Sequence, residues 1–188
     1  SGFDLTTELP IDIEEIEPHL NFGFTTRGCI RKCPFCIVHI KEPILKVIIR
    51  YLKQLWDRKS KLITLYDNNI LALPEHFESI CKQSIELNLT LDFNQGLDHR
   101  LLTPEIARLL NSISHKEYHF AFDSPAYYKS VNSAIDMLQN EGINRCNWYV
   151  LVGFNTSFQE DLARLNHLRD HNQNAYVQRY KRDRSYIP

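Results

Sequence analysis

The chain has 188 residues and a mass of 22.2 kDa, room for one domain or at most two small ones. Its 43% hydrophobic and 24% charged residues are ordinary globular values, which excludes a collagenous, low-complexity or disordered chain. With 22 Lys and Arg against 23 Asp and Glu the net charge is -1, so no global basicity draws it onto nucleic acid or an anionic membrane.

Residues 1–19 are acidic, carry no Lys or Arg and are interrupted by Pro10 and Pro18. They read as a separate, partly extended lead-in with a short helical piece near 12–17. Ser1-Gly2 in place of Met reads as a trimmed or tagged start. From residue 20 to 188 the pattern is that of one domain in which strand-like and helix-like segments alternate. His19–Thr25 predicts a strand and Ile44–Trp56, with its Lys, Arg and Gln spacing, a helix. Leu62–Tyr66 is a short apolar run closed by the turn cluster Asp67-Asn68-Asn69. Pro74–Asn88 reads as a helix with Pro in its first turn, followed by a strand over Leu89–Phe93 that ends at Asn94-Gln95-Gly96. Thr103–Leu110 is a helix with an N-cap Thr, and Tyr118–Phe122 a strand closed by Asp123-Ser124-Pro125. Tyr127–Asn140 is a helix stopped by Gly142, and Trp148–Val152 a strand ended by Gly153. Ser157–Arg169 is a helix whose Ser157 and Glu160 form a capping-box pattern. Ala175–Arg179 is the last strand.

Strict alternation implies crossover units with parallel strands. At roughly 30 residues per unit, six units need about 180 residues. A closed eightfold barrel typically takes about 250. The fold class expected is therefore α/β, as an open doubly wound sheet or an incomplete barrel, with ligands gathered at the C-terminal strand ends. Each polar turn there is an ordinary turn or cap when taken alone. Five in succession beside a cysteine cluster suggest a cup with metal at one side.

Five cysteines fit poorly with a secreted disulfide framework. Cys81 and Cys146 stand alone in regular segments and read as small buried hydrophobes. Cys29, Cys33 and Cys36 lie within eight residues, and with no secretory signal they read as metal ligands in a reducing, cytoplasmic compartment. No run reaches the roughly 18 apolar residues of a membrane span. Glycine-rich phosphate loops, GxSxG and HExxH are all absent from the sequence. The spacing Cys29-x3-Cys33-x2-Cys36-x2-His39 also suits a zinc site of three thiolates and one imidazole, in a βα domain that binds a partner without catalysis. A plain electron-transfer iron–sulfur protein is a third reading, disfavoured by a ligand count of three.

The segment GFTTRGCIRKCPFC, from Gly23 to Cys36, resembles the signature loop of radical S-adenosylmethionine enzymes: CxxxCxxC with an aromatic residue before the last Cys, after the first strand of a βα series. The resemblance covers about residues 20–181. It implies a partial (βα)6 TIM-like barrel with a parallel six-stranded sheet. It also implies that Cys29, Cys33 and Cys36 hold a 4Fe–4S cluster whose open iron binds S-adenosylmethionine, which is cleaved reductively to a 5′-deoxyadenosyl radical. Asp67 and Asn68 stand where many members carry Gly-Gly-Glu, and look like the acidic variant of cobalamin-associated relatives. Phe35, Asp123, Ser124, Gly153 and Phe154 fall at positions that meet the cofactor in that family, and Asn94 and Gln95 are expected at the same mouth, as cofactor-binding or substrate-binding residues. A one-electron donor of flavodoxin or ferredoxin type is the implied partner, and the substrate is unassigned, including a macromolecule that closes the open barrel side. Arg27, Arg31 and Lys32 suit the negative charge of a cluster or an anionic donor or substrate; half of the cations from Arg27 to Lys61 read as a solvated helix face, and Lys181, Arg182 and Arg184 as an exposed tail.

Overall fold

In the computed structural model, residues 20–180 are described. The acidic lead-in, His19 and the basic cluster at Lys181, Arg182 and Arg184 lie outside them. The chain forms two compact units. One holds the described residues up to Gly96 together with Ser112–Lys116; the other holds Leu97–Asn111 and the residues from Glu117 onward.

The first unit is built on a parallel sheet of β1 (Phe22–Gly23), β4 (Leu62–Leu65) and β5 (Thr90–Phe93), in the order β1-β4-β5. Ile63, Leu65, Leu91 and Phe93 are buried on these strands. The helix α2 (Pro74–Glu86) covers them with Phe77, Ile80, Cys81 and Ser84, a spacing that puts one face against the core. Its end is a Schellman turn: Asn88 adopts φ 51° and Leu89 N–H donates to Ser84 O at 2.8 Å. A two-stranded antiparallel ribbon of β2 (Thr26–Arg27) and β3 (Lys46–Val47) brackets the cysteine loop, which contains the short helix α1 (Val38–Lys41).

The second unit repeats the plan with β6 (His119–Ala121), β7 (Asn147–Val152) and β8 (Asn174–Arg179), parallel and in that order. Its helices are α3 (Pro104–Ser112, whose last residue groups with the first unit), α4 (Tyr128–Asn140) and α5 (Phe158–Asp170). α4 buries Val131, Ala134, Ile135 and Leu138. The expected capping box at α5 is formed, with Ser157 N–H donating to Glu160 Oε2 at 2.8 Å and Glu160 N–H to Ser157 Oγ at 3.3 Å. That helix buries little apolar surface. It is held instead by Arg164, fully buried, whose guanidinium donates to Phe122 O, to Leu151 O at 2.7 Å and to Asp161 at 2.5 Å.

The structure is thus mixed α/β, with two parallel sheets of three strands each. All six expected strands are present and parallel to their sheet neighbours. The expected helix over Ile44–Trp56 is not formed. That stretch gives β3 and a 3-10 turn at Leu52–Gln54. Two physical causes compete successfully with its helical spacing. The β-branched run Val47-Ile48-Ile49 disfavours helix, and Thr25 O accepts both Ile48 N–H (2.9 Å) and Ile49 N–H (3.1 Å). Only Leu52 and Leu55 enter the core, while Ile44, Ile48 and Tyr51 stay exposed.

Candidate functional site

The first strand is short because the chain leaves the sheet at Phe24 to grip the end of β4. Asp67, just past β4, is buried, and its Oδ1 accepts four hydrogen bonds: Thr25 N–H and Thr25 Oγ1 at 3.0 Å each, Thr26 Oγ1 at 2.6 Å, and Thr26 N–H. Oδ2 is buried with no hydrogen-bond partner. Burial pushes the Asp67 carboxyl above the usual carboxylate range, against the opposing pull of the Thr26 and Thr25 donors. Since Thr25 Oγ1 gives its proton to Asp67, His76 Nε2 at 2.9 Å must be the donor to that hydroxyl. Burial, with the charge of Arg50, holds the His76 imidazole below its ordinary pKa.

The cysteine loop is closed at its base by Glu42, whose importance the sequence does not signal. Oε1 pairs with the Arg27 guanidinium, and Oε2 accepts Gly28 N–H at 2.9 Å and Asn68 Nδ2 at 3.0 Å. Gly28 sits at φ +87°, and a Cβ there would lie 2.3 Å from Ile44 O, so only glycine allows the two sides of the loop to approach.

None of the five cysteines is in a disulfide. Cys29, Cys33 and Cys36 are half-buried, Cys81 and Cys146 buried. Burial pushes both of the latter thiols up to about 12, as suits inert core residues. Cys29 Sγ accepts Arg31 N–H at 3.3 Å and Asn69 Nδ2 at 3.5 Å. Cys36 N–H donates to Cys33 O at 3.0 Å, forming a tight turn between two of the thiols. The three residues Asp67, Asn68 and Asn69 therefore all serve the same loop: the first holds its entry, the second its closing carboxylate, the third its first sulfur. Among the described residues no group of three or more His, Cys, Asp or Glu side chains is gathered closely enough to hold a metal ion, and this includes the set of three thiols and His39. His39 lies on α1 with a buried Nδ1 that has no partner. Phe35 is half-buried between Cys33 and Cys36, and Asn94 and Gln95 are exposed in the turn after β5. A cavity of about 530 Å³ in this unit is lined by Val47, Arg50, Tyr51, His76 and Ser79, with none of the three loop thiols in its wall.

The remaining sequence-predicted residues belong to the second unit. Asp123 follows β6 and accepts Leu151 N–H at 3.2 Å; burial raises its carboxyl pKa, against that hydrogen bond and the charges of Arg164 and Arg100. Ser124 Oγ accepts Ala126 N–H at 3.2 Å as a turn cap. Gly153, at φ +76°, donates its N–H to Asp161 Oδ2 at 2.9 Å. Phe154 packs edge-on against Tyr180 with ring centroids 4.7 Å apart.

No helix among the described residues is long and apolar enough to cross a membrane. Compared with known proteins, the chain matches no family model, and no curated protein matches it.

Proposed function

We propose that this chain carries the core of a radical S-adenosylmethionine enzyme, with Cys29, Cys33 and Cys36 as the protein ligands of a 4Fe–4S cluster. The observation that carries the reading is the construction of the loop. Three half-buried thiols sit within eight residues, while Glu42 and Asn68 lock the base and two N–H groups point at Cys29 Sγ. Such N–H donors suit a sulfur that carries negative charge, and hydrogen bonds to sulfur are among the means by which a protein tunes a cluster.

A closed zinc site takes four protein ligands, whereas a 4Fe–4S cluster seats each thiolate on a different iron, so three thiols in one loop suit a cluster with one iron left open.

When bound, such a cluster supplies one electron for reductive cleavage of the sulfonium. The chain's own residues orient and shield. Arg27, Arg31 and Lys32 place positive charge around the loop, and in the same reading they face an acidic one-electron donor of flavodoxin or ferredoxin type. Phe35 offers an aromatic face beside the cofactor. Asn94 and Gln95 after β5, with Asp123, Ser124, Gly153 and Phe154 after β6 and β7, are assigned to S-adenosylmethionine. The reading brings with it a partial barrel of six βα units, with β1, β4, β5, β6, β7 and β8 as its staves. Tyr176 and Val177 on β8 are exposed, which suits a macromolecular substrate or partner at that edge.

The test is anaerobic reconstitution with iron and sulfide, reduction with dithionite, and assay of S-adenosylmethionine for 5′-deoxyadenosine. The expected result is product from the unaltered chain and none from Cys29→Ala, Cys33→Ala or Cys36→Ala. A second reading, a zinc-stabilised βα domain, draws on the buried, unpartnered Nδ1 of His39. It requires that His39→Ala lose the metal; the cluster reading requires that iron and sulfide content stay unchanged. A colourless chain that retains zinc and forms no cluster would overturn the primary reading.

A further inference from the structure

His167 and His171, one helical turn apart, make a pair that has no place in the cofactor reading. Their ring centroids are 4.2 Å apart with planes tilted by 41°. Each imidazole has committed one nitrogen as a donor. His167 Nε2 lies 2.5 Å from Asn132 Oδ1, an acceptor, so that nitrogen carries the proton and Nδ1 carries a lone pair. His171 Nδ1 lies 2.8 Å from His167 O, again an acceptor, so its Nε2 carries a lone pair. Both residues are half-buried. The His167 ring is further fixed by Tyr128, edge-on at 4.9 Å.

We propose that His167 and His171 form a two-imidazole chelate for a divalent first-row cation of the nitrogen-preferring class (copper, nickel or zinc), with water completing the coordination. Two imidazoles on one such ion place their nitrogens about 3 Å apart, from metal–nitrogen bonds of about 2.0–2.1 Å, a separation that rings with centroids 4.2 Å apart can meet. Histidines at i and i+4 on a helix are a recurring metal-binding pair. The hydrogen bond from His167 to Asn132 is the outer contact that metal-bound imidazoles characteristically make: it fixes the tautomer and aims the lone pair. The bond from His171 to the backbone carbonyl of His167 does the same for the second ring. Two protein ligands are too few for a closed structural zinc site, so the bound ion remains open to water, and its binding ties the C-terminal turn of α5 together.

The experiment uses Cu²⁺ as the probe on the full chain with its accessible thiols blocked by N-ethylmaleimide, so that the cysteine loop neither binds nor reduces the metal. Electron paramagnetic resonance is expected to show one equivalent of copper with superhyperfine splitting from two nitrogens. His171→Ala is expected to abolish the two-nitrogen pattern. His171→Asn, which keeps a polar residue at the helix C-terminus, is expected to do the same and guards against a folding defect. Asn132→Ala, which removes a positioning residue, is expected to keep the two-nitrogen pattern while weakening binding about tenfold. A wild-type spectrum without two coupled nitrogens, or one unchanged in both His171 variants, would overturn the proposal.

Discussion

Glu42 Oε2 accepts the backbone N–H of Gly28 at 2.9 Å, fourteen residues back along the chain, and so shuts the cysteine loop one residue before its first thiol. The same carboxylate holds Arg27 and Asn68. Removing it strands a backbone donor, an amide and a guanidinium together.

Glu42→Ala is therefore expected to cost about 1–3 kcal/mol, the range for leaving partly buried hydrogen-bonding groups unsatisfied. The loop thiols should react faster with a thiol reagent, and less iron should be retained after reconstitution. Urea denaturation of the cluster-free chain, thiol-reaction rates and iron content check the three effects separately. Unchanged thiol rates would show that the loop is held by other contacts.

Two glycine substitutions separate backbone strain from collision. Gly153 and Gly28 both have φ in the left-handed region, +76° and +87°. A Cβ at Gly153 meets nothing within 4 Å, whereas at Gly28 it would lie 2.3 Å from Ile44 O. Gly153→Ala should cost only the conformational penalty, about 1–2 kcal/mol. Gly28→Ala should cost clearly more, because backbone must move. Equal losses in urea denaturation would mean that the loop base yields without resistance.

The buried Asp67 links stability to pH. Its carboxyl is raised in the folded chain because burial disfavours the charge. A raised carboxyl binds protons more tightly when folded, so its favourable contribution is complete below the unfolded pKa of about 3.9 and is lost as pH rises through the higher folded value. Asp67→Asn keeps an oxygen acceptor for Thr25 and Thr26 but cannot ionise. The wild type should lose stability relative to this variant as pH increases from about 3 towards neutrality. Parallel stability curves across that range would show that Asp67 does not titrate abnormally.

What the sequence revealed and what it hid follow from the range of the interactions involved. The six strands are short apolar runs closed by turn residues, and these signals are local; all six reappear in the two sheets. The Ser157 capping box is likewise local and is present as expected. The stretch from Ile44 to Trp56 carries helix-like spacing and β-branched residues together, and the decision falls to Thr25 and Gly28, which lie about 20 residues upstream. The triad of thiols is legible because its three members lie within eight residues. Glu42 is not, because one isolated acid among many cations looks like surface charge until its partners are placed. The histidine pair escapes a search for HExxH because its spacing is right but the intervening glutamate is missing.

Thiol accessibility gives a direct check on the division of the cysteines. Cys29, Cys33 and Cys36 are half-buried on the loop, whereas Cys81 and Cys146 are 0% and 2% exposed with thiols pushed up to about 12 by burial. Iodoacetamide at neutral pH should add three groups to the native cluster-free chain and five after denaturation, as read by intact mass. Peptide mapping should place the first three on the loop. Modification of Cys81 or Cys146 in the folded chain would contradict their place in the core.

Arg164 provides the most stringent test of the second unit. Its guanidinium has no exposure, yet it satisfies the carbonyls of Phe122 and Leu151 and pairs with Asp161. Burial works to raise the Asp161 carboxyl, but Thr156, Arg164 and Gly153 together hold it below its usual range. Arg164→Met fills much of the volume and removes every donor, leaving a largely buried carboxylate without its counter-charge. Breaking one side of a buried pair costs about 3–5 kcal/mol, so the variant should be near the limit of folding. The double variant Arg164→Met with Asp161→Asn removes the stranded charge and should recover a good part of that loss. Recovery measured by urea denaturation would identify the unpaired carboxylate as the source of the damage; no recovery would assign it to the Phe122 and Leu151 carbonyls, which lose the donors of this arginine.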